Sequence, residues 1–309
     1  QNYLKAENIL SDDQHGFREK HNCETAVLTL LNKWINNIEH GKVIITVFLD
    51  FKRAFETVNR AILLEKLKKY GFDGQSIEWF KEFLSGRNQQ TIINGCLSNI
   101  EKVEIGVPQG SKLSNLLFIL YINDIVKLSN EVDFVMYADD TSITAVGNSI
   151  HEASEKMNEV LSKVNDWLKF NRIAVNSTKC KYIVVNQKDE IDIDIELCGE
   201  ILEKVENYKY LGVFLDSKLN FNVHADSIIK KLDKKLGFLW RNKSKLNYDS
   251  KVTYYKSIVL PHFDLCASIL MMCEKGKVDE MERIQRRFIR LVKNDKDTEI
   301  NELYDNLKV

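Results

Sequence analysis

Residues 42–50, KVIITVFLD, limit the possible folds more than any other stretch of this sequence. A continuous β-branched and aromatic run reads as a central strand covered on both faces. The chain must therefore supply elements for two sides of a sheet. The run ends on Asp50, which places a carboxylate at the sheet's edge.

A second stretch, VDFVMYADDTSITAV (132–146), sets Asp139 and Asp140 side by side within residues otherwise fit to be buried β-structure. Burying an unpaired carboxylate costs several kcal/mol, and a like-charged neighbour shifts a pKa upward. One reading is an ordinary hairpin turn in solvent, since Asp is a common turn residue. The other is a site where an opposite charge compensates. If this hairpin pairs beside the first strand, three carboxylates converge. Hard divalent cations would neutralise them, because Mg²⁺ takes one or two carboxylates plus substrate phosphates. Two such ions would suit in-line phosphoryl transfer.

The rest of the pattern is mixed. TAVLTLLNKWINNIEHG spaces Val27, Leu30, Leu31, Trp34, Ile35 and Ile38 for an amphipathic helix. AILLEKLKKYG and SIEWFKEFLSG read as helices closed by glycine. QTIINGCLSNIEKVEI reads as a hairpin with Gly95 in its connection, and SNLLFILYINDIVKL as a buried helix. A helix near 151–169 and strands near 173–185, 191–197 and 208–216 precede helices that run to the end. The six cysteines lack CxxC pairs, so neither a zinc ribbon nor a disulfide framework is indicated and buried thiols are predicted.

Net charge is −1, but residues 218–296 hold 18 Lys/Arg against 9 Asp/Glu, leaving −10 for the remainder. Charge and pattern change together near 217, the predicted domain boundary. In MERIQRRFIRLV, Arg283, Arg286, Arg287 and Arg290 are predicted opposite Ile284, Phe288 and Leu291. Such a face is either solvated or a footprint for phosphates. No apolar run approaches a membrane span and the N-terminus lacks a signal-peptide pattern, which predicts an intracellular protein without a membrane partner.

In this order and spacing, QHGFREKHNCETAV, FLDFKRAFETVNRAILLEKLKKYG, GVPQGSKLSNLLFILYINDI, YADDT, WLKFNRIAVNSTKCKYIVV and YKYLGVFLD resemble the reverse transcriptase of non-LTR (LINE-type, jockey-like) retrotransposons. The resemblance covers nearly the whole chain. It implies an α+β right-hand polymerase fold with an antiparallel palm sheet. Residues 1–217 would form partial fingers and palm, and 218–309 a helical basic thumb and post-thumb region. It implies RNA-directed DNA polymerisation with two Mg²⁺ ions (Mn²⁺ as an alternative), an RNA template, a DNA primer, their RNA–DNA hybrid and deoxynucleoside triphosphates, acting in the nucleus.

Carried over position by position, Asp50, Asp139 and Asp140 would be the metal ligands, with the Phe51 carbonyl on the second ion. Amides of Arg53 and Ala54 would face the triphosphate, and Phe55 would be the steric gate against a ribose 2′-hydroxyl. Gln109 and Gly110 of PQG would contact template or nucleotide. Lys179 would donate a proton to pyrophosphate, or is a surface lysine. Arg18 would lie along the template strand, and Tyr210, Leu211 and Gly212 would form the primer grip. Arg286 and Arg287 would bind nucleic acid.

The chain departs from the family at Glu56, where Asp is usual, and at Ser114–Asn115, where Gly–Pro is usual. The family's first fingers motif, endonuclease domain and CCHC knuckle are not in it. A truncated or degenerate element copy that binds nucleic acid without efficient polymerisation is therefore the rival expectation. A group II intron or retron-like enzyme would share YADD but not GSxLxxLLFxxYIND.

Overall fold

The computed structural model describes residues 2–187, 191–265 and 267–293. The chain divides into two compact units, Gln1–Glu206 and Asn207–Val309. The expected boundary near 217 follows the 207–216 hairpin. The observed divide precedes it, because that hairpin packs on the Asn222–Asn242 helix of the second unit.

The first unit is built on a five-stranded sheet. Its strands are β1 (Val43–Leu49), β2 (Val132–Tyr137), β3 (Asp140–Gly147), β4 (Lys181–Val185) and β5 (Glu203–Lys204), in the spatial order β5-β4-β1-β3-β2. Every pairing is antiparallel except the β4–β5 edge. β1 is the central strand that its sequence demands, with all seven residues buried. Successive side chains point to opposite faces. Ile45, Val47 and Leu49 enter the main apolar cluster with Leu120, Met157 and Val164. Thr46 points to the other face, where Trp34 Nε1 donates to its hydroxyl at 2.9 Å and Thr144 Oγ1 lies 2.9 Å away. A polar side chain thus sits in the core at little cost, since its hydrogen-bonding capacity is used.

The Cys23–Glu39 helix, which carries Trp34, starts in a capping box made by Asn22 and Thr25. The Ile150–Phe170 helix packs along β1 and β3. The apolar run after Ser111 is a buried helix, Lys112–Ile122, that tightens into a 3₁₀ turn over Asn123–Leu128. There the polar pair is drawn into bonds from other elements. Asn123 bonds Ser11 and Ile9, and Asp124 accepts from Lys66 Nζ at 2.7 Å and Trp167 Nε1 at 2.9 Å.

Residues 88–102 form an exposed hairpin around Asn94 and Gly95, both at positive φ as such a two-residue turn requires. Three strand expectations change. Of 191–197 only Glu196–Leu197 is strand. Strand structure in 173–185 begins only at Lys181, and 208–216 is two strands folded about Leu211 and Gly212, at φ 48 and 92. The thiol expectation also needs correction. Cys180 and Cys273 are buried, Cys23 is half-buried, and Cys96 and Cys198 are exposed because they sit beside the tips of short hairpins; Cys266 lies outside the described residues.

In the second unit the Lys275–Lys293 helix packs against the Asn222–Asn242 helix. Ile284, Phe288, Ile289 and Val292 are buried and Leu291 half-buried, while Arg283, Arg286, Arg287 and Arg290 are exposed. Among the described residues no helix is long and apolar enough to cross a membrane.

Candidate active site

β1 pairs with β3 up to Leu49 opposite Thr141, so one further step along the register sets Asp50 opposite Asp140. Across β2 and β3, Tyr137 pairs with Asp140, which leaves Ala138 and Asp139 as the turn. The three carboxylates therefore occupy one end of neighbouring strands. Asp139 and Asp140 reach solvent, but protein atoms on their other sides raise both carboxyls. For Asp140 this burial, then Asp139, then Asp50 push the pKa up to about 6. Asp139 is raised by burial first and by Asp50 as the nearby charge. Among the described residues, Lys179 is the cation paired with the group, its Nζ 3.8 Å from Asp50 Oδ2 at an exposed position.

Among the described residues, no group of three or more His, Cys, Asp or Glu side chains is drawn close enough to hold a metal ion by itself. The carboxylates are neighbours, not a closed cage. That donor set suits Mg²⁺, which keeps waters and takes phosphate oxygens from its substrate. The Asp140 carboxyl is raised first by burial and then by the neighbouring Asp139 and Asp50 charges, which a bound cation would offset.

Asp50 is held from behind by residues that sequence reasoning did not single out. Its carbonyl accepts from the Asn176 N–H at 2.7 Å, and its own N–H donates to Cys180 Sγ at 3.3 Å. The Lys52 N–H reaches the Ala174 carbonyl at 2.7 Å around a Phe51–Val175 bridge. Antiparallel ladders alternate edges, so the Phe51 carbonyl faces away from this loop, toward the β3 side. Cys180 could have been found from its place: a small apolar residue directly before β4, next to the lysine already marked.

After Asp50, Arg53 adopts a left-handed conformation (φ 48), exposed, ahead of the short Ala54–Thr57 helix. Ala54 is buried. Phe55 is half-buried, stacked on Phe118 at 4.3 Å and edge-on to the exposed Phe17 at 6.5 Å. The GVPQG loop is fastened here. The Gly106 and Val107 amides donate to the Val58 and Phe55 carbonyls, and Gln109 Nε2 donates to Glu56 Oε1 at 3.1 Å. Gly106 (φ 78) is required, since a Cβ would stand 2.6 Å from the Glu56 carbonyl oxygen. Gly110 is exposed at φ 84. Glu56, the departure from the family pattern, thus anchors Gln109.

Arg18 turns onto its own loop, donating to the Ser11 carbonyl at 2.5 Å and the Gln14 carbonyl at 3.2 Å, with Asp12 at 3.2 Å. Tyr210, Leu211 and Gly212 belong to the second unit, where Tyr210 is buried and the following two residues make the turn. Arg286 pairs with Glu282 at 3.0 Å in solvent, and Arg287 is exposed beside it.

A family model described as reverse transcriptase (RNA-dependent DNA polymerase) matches residues 1–215. The RNA-directed DNA polymerase from mobile element jockey of Drosophila funebris is 27% identical over 289 residues, covering 90% of this chain and 31% of that protein. A probable RNA-directed DNA polymerase from transposon X-element of Drosophila melanogaster is 26% identical over 296 residues, covering 94% of this chain and 32% of the relative. The chain thus spans about a third of the length of these curated relatives. Among solved structures, a telomerase from Candida tropicalis bound to a fragment of telomeric RNA aligns with a TM-score of 0.45 at 13% identity, over 87% of this chain and 43% of that one.

Proposed function

The chain belongs to the reverse transcriptase (RNA-dependent DNA polymerase) family, and from that premise we propose that it extends a DNA primer 3′-end with deoxynucleotides along an RNA template, acting in the nucleus. The observation that carries the reading is the meeting of Asp50, Asp139 and Asp140 at one end of neighbouring strands, with the Asp139 and Asp140 carboxyls raised by burial and by the nearby carboxylates.

The three carboxylates and the Phe51 carbonyl would hold two Mg²⁺ ions, for which Mn²⁺ could substitute. When bound, these supply charge neutralisation and lower the pKa of the attacking 3′-hydroxyl. The remaining work falls to the chain's own groups. Asn176 and Cys180 fix the Asp50 backbone. The amides of Arg53 and Ala54 receive the triphosphate. Phe55, braced by Phe118, excludes a 2′-hydroxyl, and Gln109 and Gly110, held through Glu56, border the nucleotide and template. Lys179, beside Asp50, gives a proton to departing pyrophosphate. Arg18 stiffens the loop along the template, the Tyr210–Gly212 turn supports the primer, and Arg286 and Arg287 hold backbone phosphates.

Primer extension on a homopolymer RNA template tests the reading. The parent chain should incorporate deoxynucleotides only with Mg²⁺ or Mn²⁺. Asp139→Asn should fold, bind primer–template like the parent and lose incorporation by orders of magnitude. Equal extension by the variant and the parent would overturn the assignment of the site.

A further inference from the structure

The QHG segment at 14–16 lies against the Asp139 turn. Gln14 bridges to Met136 in parallel fashion, with the His15 N–H on the Met136 carbonyl at 2.7 Å and the Met136 N–H on the Asp13 carbonyl at 2.8 Å. The Gln14 side chain is fully buried. Its Oε1 accepts from two backbone amides at once, Gly16 N at 2.7 Å and Ala138 N at 3.0 Å. Two N–H donors on one atom fix which end of the amide is oxygen.

Three features set this contact apart from ordinary packing. Ala138, directly before Asp139, is held at φ 55, a conformation L residues seldom adopt without support. A Cβ on Gly16 would stand 2.3 Å from Ala138 N and 2.9 Å from Gln14 Oε1, so only glycine permits the approach. Gln14 Nε2 is buried without a hydrogen-bond partner. An apolar side chain of similar size would fill this space without that desolvation cost, so the residue is explained by its oxygen.

We propose that Gln14 and Gly16 form a strut that holds the Ala138 peptide in its left-handed turn and so aims the Asp139 carboxylate toward the metal ions; they are positioning residues for that ligand. The proposal rests on the metal-ligand reading of Asp139. Gln14→Met removes the acceptor and strands two amide donors. Gly16→Ala keeps the acceptor and displaces the turn sterically.

The test uses Mn²⁺ alone, its binding to the whole chain followed by electron paramagnetic resonance, beside thermal melting. Val164→Ala, a buried change in the main apolar cluster, serves as the stability-matched control. Supporting-shell changes typically cost about 10–100-fold in metal affinity or activity. Each strut variant should therefore weaken Mn²⁺ binding by at least about tenfold and lower kcat for single-nucleotide incorporation on the same scale. KM for the nucleotide and the affinity for primer–template should stay within about twofold, since neither contact changes. Val164→Ala, at equal loss of melting temperature, should bind Mn²⁺ like the parent. Parent-like Mn²⁺ binding by a folded Gln14→Met or Gly16→Ala overturns the strut. Should Gln14→Met fail to fold, Gly16→Ala decides by the same criterion. Failure of the parent itself to bind Mn²⁺ overturns the metal reading instead.

Discussion

The backbone N–H of Asp50 donates to the thiol of Cys180 at 3.3 Å, so a buried cysteine anchors the first carboxylate from behind. Burial pushes that thiol up to about 11, and it stays neutral at physiological pH. Cys180→Val keeps the volume and removes the acceptor; Cys180→Ser keeps an acceptor. Single-nucleotide incorporation should fall about 10–100-fold in the valine variant and stay near the parent in the serine variant. Indistinguishable kcat values for the two would show that the thiol only fills space.

Phe55 rests on Phe118, so a substitution there reports two things at once. Phe55→Val should raise ribonucleotide incorporation relative to deoxynucleotide incorporation. Because the ring is half-buried, stability should drop by roughly 1–3 kcal/mol. Competition between the two sugars in steady-state assays checks the first, and denaturant unfolding the second. A stability loss with unchanged sugar discrimination would move the gate elsewhere.

On the Lys275–Lys293 helix, Arg286 and Arg287 face solvent, and the Arg286–Glu282 pair, exposed on both sides, adds little to stability. Replacing both arginines with glutamine should leave unfolding unchanged and weaken primer–template binding. Each lost phosphate contact should remove about 0.7–0.9 from the slope of log affinity against log salt. Fluorescence anisotropy across a salt series reads this directly, and an unaltered slope would return these residues to plain solvation.

His224 is buried, its Nδ1 accepting from the Phe214 N–H at 3.4 Å, and burial followed by Lys231 pushes it down to about 4. Its usual value is about 6.5. The unfolded chain therefore takes up a proton that the folded one refuses. Stability from this group is fully present above pH 6.5 and is lost as pH falls toward 4. His15 is lowered to about 4 as well, so His224→Gln should flatten part of the decline. Melting temperatures at pH 7 and pH 5 measure it; an equal decline in both proteins would place the acid sensitivity in other groups.

The central strand was legible because seven consecutive buried residues leave no polar alternation to misread. Asp50 was legible as its end, and the ADD turn as a hairpin tip. The supports of these carboxylates were not. Residues 173–180 read as strand by composition, yet they form a loop bonded to Asp50 and Lys52, and only tertiary pairing selects Asn176 and Cys180 for those bonds. Gln14 was not singled out, since nothing local shows that its amide meets Ala138, 124 residues away. The exposed Cys96 and Cys198 were misread for a related reason. Residue preference points inward, but short hairpins carry their tips away from any core.

The pairing of Thr46 with Thr144 spans 98 residues. At synthesis rates of about 5–20 residues per second, β1 leaves the ribosome roughly 5–20 s before its β3 partner, and β4 follows later still. Through that interval a strand apolar on both faces has no ladder to join. The Cys23–Glu39 helix is made first and has Trp34 ready for Thr46, so it can shelter one face of the nascent strand. The other face, with Ile45, Val47 and Leu49, stays uncovered until the Ile150–Phe170 helix is made.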